Sequence, residues 1–231
     1  MRVLRKVAKL LSSLLYGFTL LWPWPIRRWM LNAFFGYKID RTAKIGLSWI
    51  RPRRLVVGKG SYIGHLNVVK GLDDLIIGEA VVIGRMNWIT AFPSGNSDHF
   101  TEDPNRHPAL IVEDHAGITN RHIIDCTSKI TVGRMSTVAG FQSQFLTHSI
   151  DLQESRQRSK EIVIGEYTFV GTGVIVFGGA ILPPRSVLAA GSVLTKPYNE
   201  PDMLYGGVPA RPIKGIAPGA KYFTREEGFV K

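Results

Sequence analysis

The stretch that decides the fold is residues 164–196, which read IGEYTFVGTGVIVFGGAILPPRSVLAAGSVLTK. An aliphatic residue recurs here at every sixth position, at Ile164, Val170, Val176, Leu182, Leu188 and Leu194. A small or β-branched residue stands four positions after each of the first five, at Thr168, Val174, Ala180, Ser186 and Ser192. Helices do not repeat every six residues with strand-type composition, and hairpin sheets need turn signals between longer strands. The pattern therefore predicts a solenoid of very short strands, with three flat faces per coil and the aliphatic residues stacked inside.

Weaker copies of this pattern occur earlier in the chain as aliphatic-glycine pairs, at Val57-Gly58, Ile63-Gly64, Ile77-Gly78, Ile83-Gly84 and Val132-Gly133. A residue without a Cβ suits a tight corner of the coil. We expect the solenoid domain over residues 39–215, after an N-terminal segment of residues 1–38 and before a C-terminal tail of residues 216–231. Two polar interruptions, near 91–111 and 146–161, predict loops that leave the coil.

The net charge of +11 is concentrated at the N-terminus. Residues 1–54 contain 12 lysines and arginines but only one acid, Asp40, and the rest of the chain is balanced. The basic residues alternate with long aliphatic side chains and no RNA- or DNA-binding motif accompanies them, so we expect no nucleic-acid partner. The single cysteine, Cys126, excludes an intrachain disulfide.

The spacing of polar and apolar side chains in residues 1–35 predicts an amphipathic helical segment. One stripe at helical spacing is basic or polar and comprises Arg2, Arg5, Lys6, Lys9, Ser12, Ser13 and Tyr16. The opposite side is apolar and comprises Val3, Val7, Leu10, Leu11, Leu14 and Leu15. Such helices lie in the headgroup layer of anionic membranes, and Trp22, Trp24 and Trp29 suit that interface. The alternative is that residues 1–35 pack on the main domain or on a neighbouring subunit.

Two further stretches carry a family signature: residues 189–196 read AAGSVLTK, and residues 206–214 read GGVPARPIK. Together with the repeats, they resemble the hexapeptide-repeat acyltransferases over about residues 40–215, and within that family the sugar and exopolysaccharide O-acetyltransferases of the galactoside, maltose and colanic acid types. The resemblance implies an all-β fold, a left-handed parallel β-helix, here with an N-terminal helical segment. It also implies a homotrimer with its active sites between neighbouring prisms, acetyl-CoA as co-substrate and no metal. We expect a cytoplasmic enzyme that is peripheral on the inner face of the membrane.

The resemblance places the catalytic histidine in a loop shortly before the strongest repeats, where this chain has Thr147-His148-Ser149-Ile150-Asp151. An alcohol is a poor nucleophile and a thioester is already activated, so the reaction needs a general base, which histidine supplies. We expect His148 to take the proton from a sugar hydroxyl of a polysaccharide, glycan or lipid-linked glycan. Cys126 and Ser136 lack the local signature of an activated nucleophile, so direct transfer is expected.

The resemblance also suggests residues around the acceptor and the cofactor. Asn120 lies near where relatives place an acceptor-binding amide, and Phe169 stands where many sugar acetyltransferases have tryptophan. His122 either lines the acceptor site or packs in the core, and Asp151 either orients the imidazole of His148 or is a solvated loop acid. Motif positions for acetyl-CoA fall on Thr172, Ala190, Thr195, Lys196, Arg211 and Lys214, because phosphates pair well with lysine and arginine.

Three other functions stay open from the sequence. One is N-acylation of an amino sugar, or acylation of a small acceptor. Another is a metal-dependent hydratase like the γ-class carbonic anhydrases, which need three histidines around zinc; His99 and His107 share a loop with Asp98 and Asp103. The third is a non-catalytic scaffold.

Overall fold

A computed structural model describes residues 2–95 and 99–228, without the side chains of residues 2–6 and of Lys9. Two helices, α1 (Arg2–Thr19) and α2 (Trp24–Phe35), precede a long series of short strands. The strands form three sheets that the chain visits in rotation, so that each coil adds one parallel strand to each sheet. This architecture is the left-handed parallel β-helix that the repeat and the family resemblance predict.

The strands are assigned to sheets A, B and C. Sheet A contains β1 (Lys38–Ile39), β4 (Arg54–Val57), β7 (Asp74–Ile77), β10 (Ala109–Val112), β13 (Ile130–Val132), β18 (Ile162–Ile164) and β21 (Ile181–Leu182). Sheet B contains β2 (Lys44–Ile45), β5 (Tyr62–Ile63), β8 (Val82–Ile83), β11 (Gly117–Asn120), β14 (Thr137–Phe141), β19 (Phe169–Val170), β22 (Val187–Leu188), β24 (Met203–Gly207) and β25 (Ala210–Gly215). Sheet C contains β3 (Trp49–Arg51), β6 (Val68–Lys70), β9 (Trp88–Thr90), β12 (Ile123–Asp125), β15 (Gln144–Leu146), β20 (Ile175–Phe177) and β23 (Val193–Leu194).

Each sheet meets the next at a corner of the prism, which we name by the two sheets. The B–C corner follows each sheet B strand, and the C–A corner follows each sheet C strand. At one C–A corner an antiparallel hairpin leaves the coil, formed by β16 (His148–Asp151) and β17 (Arg156–Ser159). At the C-terminal end, β24 and β25 form a second antiparallel pair.

The interior of the prism is the aliphatic ladder that the sequence predicts. All six repeat residues from Ile164 to Leu194 are 0 % exposed, and the five small residues between them are also buried. The register of the parallel strands explains this burial, because Ile164 pairs with Val132 on one side and with Leu182 on the other. Strands of two or three residues have little stability alone, and burial of each stacked side chain contributes about 1.5–3 kcal/mol.

The glycines of the repeat allow successive coils to stack closely. They are not required for an unusual backbone conformation. A Cβ on Gly171 would lie 2.6 Å from the backbone nitrogen of Ala190, and one on Gly165 would lie 2.5 Å from that of Pro184. Neither glycine has a positive φ. The sequence pattern predicted tight corners at these glycines, whereas the structure shows that the next coil occupies the space of the missing side chain.

The two interruptions differ from the expected loops in extent and in structure. The first occupies residues 91–108, because β10 already begins at Ala109. The second is largely the hairpin of β16 and β17. The tail after Lys214 folds back on sheet B, where a 3-10 helix (Lys221–Phe223) brings the Tyr222 hydroxyl to donate to the Thr168 carbonyl at 2.9 Å.

The α2 helix closes the first coil of the prism. An unfinished coil leaves backbone carbonyls without partners at the sheet edges. Trp24 Nε1 donates to the Ala43 carbonyl at 2.9 Å, Arg27 Nη1 to that of Gly46 at 2.9 Å, and Arg28 Nη1 to that of Ile39 at 3.2 Å. Arg27 and Arg28, two basic residues of the N-terminal segment, therefore stabilise the first coil.

The α1 helix packs on the first coils through Ser12, Ser13 and Tyr16 of its polar stripe. Tyr16 is 1 % exposed, and Ser12 and Ser13 accept hydrogen bonds from the guanidinium of Arg51. The side chains of Arg2, Arg5, Lys6 and Lys9 lie outside the described part of the chain. No helix in the described part is long and apolar enough to cross a membrane.

We expect Gly171→Ala to lower the melting temperature, because the added methyl group meets the backbone of the next coil. Overpacking of this kind costs about 1–3 kcal/mol. Gly215→Ala is the matched control, since a Cβ there meets nothing within 4 Å. Equal melting temperatures for the two variants in calorimetry would contradict the close-stacking explanation.

Candidate active site

His148 lies at the C–A corner, at the first position of β16. Its side chain is 36 % exposed, and its Nδ1 is 2.6 Å from Oδ2 of Asp125. Asp125 ends β12, one coil earlier, and pairs in register with Leu146, two residues before His148. The coil repeat therefore brings the carboxylate and the imidazole together.

Asp125 is held as a carboxylate by several donors. Oδ2 accepts hydrogen bonds from the backbone N–H groups of Thr147 and His148, each at 3.0 Å, and from the Thr147 hydroxyl at 3.0 Å. Oδ1 accepts from the Thr127 hydroxyl at 2.6 Å. Burial acts to raise the pKa of Asp125, but the hydrogen bonds from His148 and Thr127 outweigh it and hold the pKa below its usual value.

These contacts fix which imidazole nitrogen carries the hydrogen. An ionised carboxylate only accepts hydrogen bonds, so Nδ1 of His148 must be the donor. The neutral ring then has its lone pair on Nε2, which makes no hydrogen bond to any residue in the described ranges. The hydrogen bond to Asp125 raises the pKa of His148, against the effect of burial. The arrangement is that of a base oriented by a carboxylate.

Aromatic side chains from the loop of residues 91–108 cover the imidazole. The rings of Phe92 and Phe100 stand edge-on to it, with centroids at 5.6 and 6.1 Å. Arg106 anchors the loop by donating to the carbonyls of Phe92 and Thr127, at 2.6 and 3.1 Å. The Phe92 backbone N–H also donates to the Thr127 hydroxyl at 3.2 Å. Thr127 therefore contacts both the loop and the carboxylate of Asp125.

The same loop is tied to the hairpin that carries His148. The Ser159 backbone N–H donates to Oδ2 of Asp103 at 2.7 Å, and Arg156 pairs with Glu102. His99 Nδ1 lies 3.4 Å from the amide of Gln157. Asp103 and His99 therefore act in loop packing, and Asp98 lies outside the described residues. Within residues 2–95 and 99–228, no three His, Cys, Asp or Glu side chains are grouped to hold a metal ion.

Asp151 does not orient the imidazole. Its Oδ1 accepts hydrogen bonds from the backbone N–H groups of Gln153 and Glu154, at 3.0 and 3.2 Å. Asp151 therefore stabilises the turn of the hairpin. The residue that orients the imidazole of His148 is Asp125. The reason is that residues three positions apart on a strand have side chains on opposite faces, whereas Asp125 of the preceding coil lies directly beside the ring.

His122 belongs to the core and not to an acceptor site. It is 0 % exposed, and burial lowers its pKa to about 4. Its Nδ1 accepts from the Ser143 backbone N–H at 3.2 Å, so the hydrogen is on Nε2, 3.0 Å from the Thr119 hydroxyl. Both ring nitrogens are thus occupied, and His122 has no lone pair left to act as a base.

His122 is one member of a polar ladder inside the B–C corner. The Asn87 backbone N–H donates to Oδ1 of Asn67 at 2.9 Å, and the His122 backbone N–H donates to Oδ1 of Asn87 at 2.9 Å. Each coil thus satisfies the polar group of the next one. This pattern explains why a histidine can be fully buried here at little cost.

Asn120 and Phe169 line a groove of about 450 Å³ on the outer face of sheet B, beneath the C-terminal tail. Oδ1 of Asn120 accepts from the Arg85 backbone N–H at 2.9 Å, and the Phe169 ring stands edge-on to Tyr222 at 5.8 Å. His148 is at a different corner of the prism. A single chain therefore does not bring these two residues together with the imidazole.

The residues expected at acetyl-CoA also divide between corners. Thr195 and Lys196 follow β23 at the C–A corner, two coils beyond β15 and hence beyond His148. Thr172 and Ala190 lie at the B–C corner, where the Thr172 hydroxyl donates to the Phe141 carbonyl at 2.9 Å. Arg211 and Lys214 are exposed on β25.

Five residues of the site were not predicted from the sequence: Asp125, Thr127, Phe92, Phe100 and Arg106. A signal for Asp125 existed, because counting repeats places it one coil before Leu146. The aromatic residues had no such signal, since a loop of 18 residues has no repeat to count.

We expect Asp125→Asn to lower the pKa of His148, because the amide removes the charge that favours the imidazolium. Titration of the imidazole followed by NMR measures this change. Asp151→Asn serves as the control and should change the pKa much less, because its carboxylate bonds to the hairpin turn. Equal effects of the two substitutions on this pKa would contradict the conclusion that the Asp125 carboxylate raises the pKa of His148.

Comparison with solved structures bears on the fold. The polysialic acid O-acetyltransferase OatWY is 18 % identical over 79 % of this chain and 86 % of that chain, with a TM-score of 0.59. A maltose O-acetyltransferase from Clostridium difficile 630 is 22 % identical over 62 % and 70 %, with a TM-score of 0.49. No protein-family model matches the sequence, and no curated protein does. The resemblance to hexapeptide-repeat acyltransferases is thus confirmed at the level of the fold, which this chain shares with the polysialic acid O-acetyltransferase.

Proposed function

We propose that this protein is an acetyl-CoA-dependent O-acetyltransferase that modifies a sugar hydroxyl in polysaccharide or glycan biosynthesis. The observation that carries the proposal is the paired imidazole of His148, with Nδ1 on Asp125 and the lone pair of Nε2 available at the surface. A sugar hydroxyl needs such a base, and a thioester needs no further activation.

The reaction follows from this geometry. Nε2 of His148 takes the hydroxyl proton as the sugar oxygen attacks the thioester carbonyl, and Asp125 stabilises the imidazolium that forms. The carbon-sulfur bond then breaks, and the proton passes from Nε2 to the departing thiolate. Atoms balance without an acyl-enzyme. Phe92 and Phe100 limit water beside the reacting groups, which reduces hydrolysis of the thioester.

The cationic residues of β25 are suited to bind the phosphates of coenzyme A. Arg211 and Lys214 are exposed, and neither forms an ion pair with a described residue. Lys196 lies with its Nζ 5.3 Å from the centre of the Tyr198 ring, also without a carboxylate partner in the described part. Cations without internal partners are available to an anionic ligand.

A homotrimer would unite the residues that one chain keeps apart. The site requires the C–A corner, with His148 and Lys196, and the B–C corner, with Asn120 and Thr172. A neighbouring copy can present its B–C corner to the C–A corner of this chain. Exposed apolar residues along the B–C corner support such packing: Leu47, Leu66, Met86 and Phe141. Each active site would then lie between two subunits.

The acceptor is inferred from fold likeness together with the base. OatWY is described as a polysialic acid O-acetyltransferase, and its likeness to this chain favours a sugar hydroxyl. Acylation of an amino sugar is the second candidate, because the same base would serve an ammonium group. A panel of hydroxyl and amino acceptors separates these two acceptor classes.

We expect release of free thiol from acetyl-CoA that depends on a sugar acceptor. His148→Ala should lower kcat by about 10²–10⁴, because it removes the general base. The matched control is His107→Ala, since His107 is also paired with an aspartate, with Nε2 2.6 Å from Oδ2 of Asp74, but lies outside the proposed machinery. Thiol release that survives in His148→Ala, or that falls equally in both variants, would refute the assignment.

A further inference from the structure

The helices at the N-terminus expose a continuous set of large apolar side chains. We define the N-terminal apolar face as Leu10, Leu14, Phe18, Leu21, Trp22 and Trp29. Leu21 is 79 % exposed, Leu14 is 61 % exposed and Trp29 is 58 % exposed. Contiguous apolar surface of this kind on a folded protein marks an interaction site.

Three of these residues lie on one side of α1. Leu10, Leu14 and Phe18 follow one another at intervals of four residues, which is the periodicity of one helical face, and Leu21 lies in the turn after α1. The Phe18 and Trp22 rings lie edge to face with centroids 5.9 Å apart, so the face continues into the turn between the helices. On α2, Trp29 adds a further exposed apolar ring.

Contacts on the inner side hold this face outward. The Tyr16 hydroxyl donates to the Ser48 carbonyl at 3.2 Å and accepts from the Ile50 backbone N–H at 3.0 Å. The Tyr16 ring packs edge-on against Trp49, with centroids 5.0 Å apart. On α2, Arg27 is 2 % exposed and bonds to carbonyls of the first coil. Neither helix can turn its apolar side inward without breaking these bonds.

Exposed cations lie on the first coil, against which α2 packs. Lys38, Arg41 and Lys44 are exposed on the first coil, and none of them pairs with a carboxylate in the described residues. Lys44 lines one groove together with Trp22. The sequence adds Arg2, Arg5, Lys6 and Lys9 to the start of α1, so the excess charge of the whole chain lies at this end.

We propose that the N-terminal apolar face binds the surface of an anionic lipid bilayer. Leucine and phenylalanine side chains would enter the boundary of the acyl chains, tryptophan rings would lie at the headgroups, and the surrounding cations would contact the lipid phosphates. Charge favours this partner over a second copy of the chain, because two copies would bring the same cationic rims together. The proposal stands apart from the proposed enzymatic activity, since none of the six residues belongs to the active site.

Cosedimentation of the full chain with vesicles tests this proposal. We expect binding to an equal mixture of phosphatidylcholine and phosphatidylglycerol, weaker binding to phosphatidylcholine alone, and loss of the difference at high salt, because salt screens surface charge. The double variant Leu14→Glu with Phe18→Glu should lower the bound fraction at least about tenfold. Point variants are preferable to deletion of the helices, because α2 also closes the first coil.

The matched control is Leu152→Glu, which introduces the same charge at a leucine that is 89 % exposed on the hairpin. It should bind vesicles like the wild type. Wild type that stays in the supernatant with both vesicle types, or a double variant that binds as well as wild type, would overturn the proposal. A lower oligomeric state of the double variant in lipid-free gel filtration, combined with no vesicle binding by wild type, would assign the face to a protein interface instead.

A second measurement does not depend on how the double variant folds. The total tryptophan fluorescence of the wild type, which has five tryptophans, should shift to shorter wavelength when anionic vesicles are added, and Trp29→Phe should lose part of that shift. No shift in the wild type counts against the proposal. Thiol release from acetyl-CoA is measured in parallel, and its failure would bear on the enzymatic assignment alone.

Discussion

The close spacing of successive coils governs the rest of this structure. Neighbouring strands in a sheet lie about 4.8 Å apart, so each coil has room for one aliphatic side chain per face and little else. At Gly171 even a methyl group would meet the next coil. Polar groups inside the prism must therefore find partners on the coil above or below, as Asn67, Asn87 and His122 do. A regular interior of this kind leaves the chemistry to the corners and to the segments that leave them.

The candidate active site uses the same spacing. Asp125 and His148 are 23 residues apart in the chain, yet they are neighbours because one coil separates them. The rigid stack fixes the carboxylate, whereas the imidazole stands on a hairpin at the surface. This division gives a base whose orientation is set by the core and whose free nitrogen faces outward. Preorganisation of this kind avoids rearrangement during the reaction.

The sequence predicts the repetitive part of the structure well and the irregular part poorly. Aliphatic positions such as Val176 and Leu188 follow a strict period, so their burial could be read directly. His148 could be singled out by family position, but its partner could not, because Asp151 is near in sequence while Asp125 is near in space. His122 shows the same limit, since burial depends on the register of Asn87 and Ser143. The periodicity of α1 distinguishes the two sides of the helix, but it does not show which side packs on the prism.

Closure of the first coil by α2 also ends the solenoid at its N-terminal edge. A parallel β-helix has no intrinsic end, since each coil is a template for another. Trp24, Arg27 and Arg28 occupy carbonyls that a further strand would otherwise use. The helix thus keeps the terminal edge from recruiting strands of other molecules and growing into a fibre.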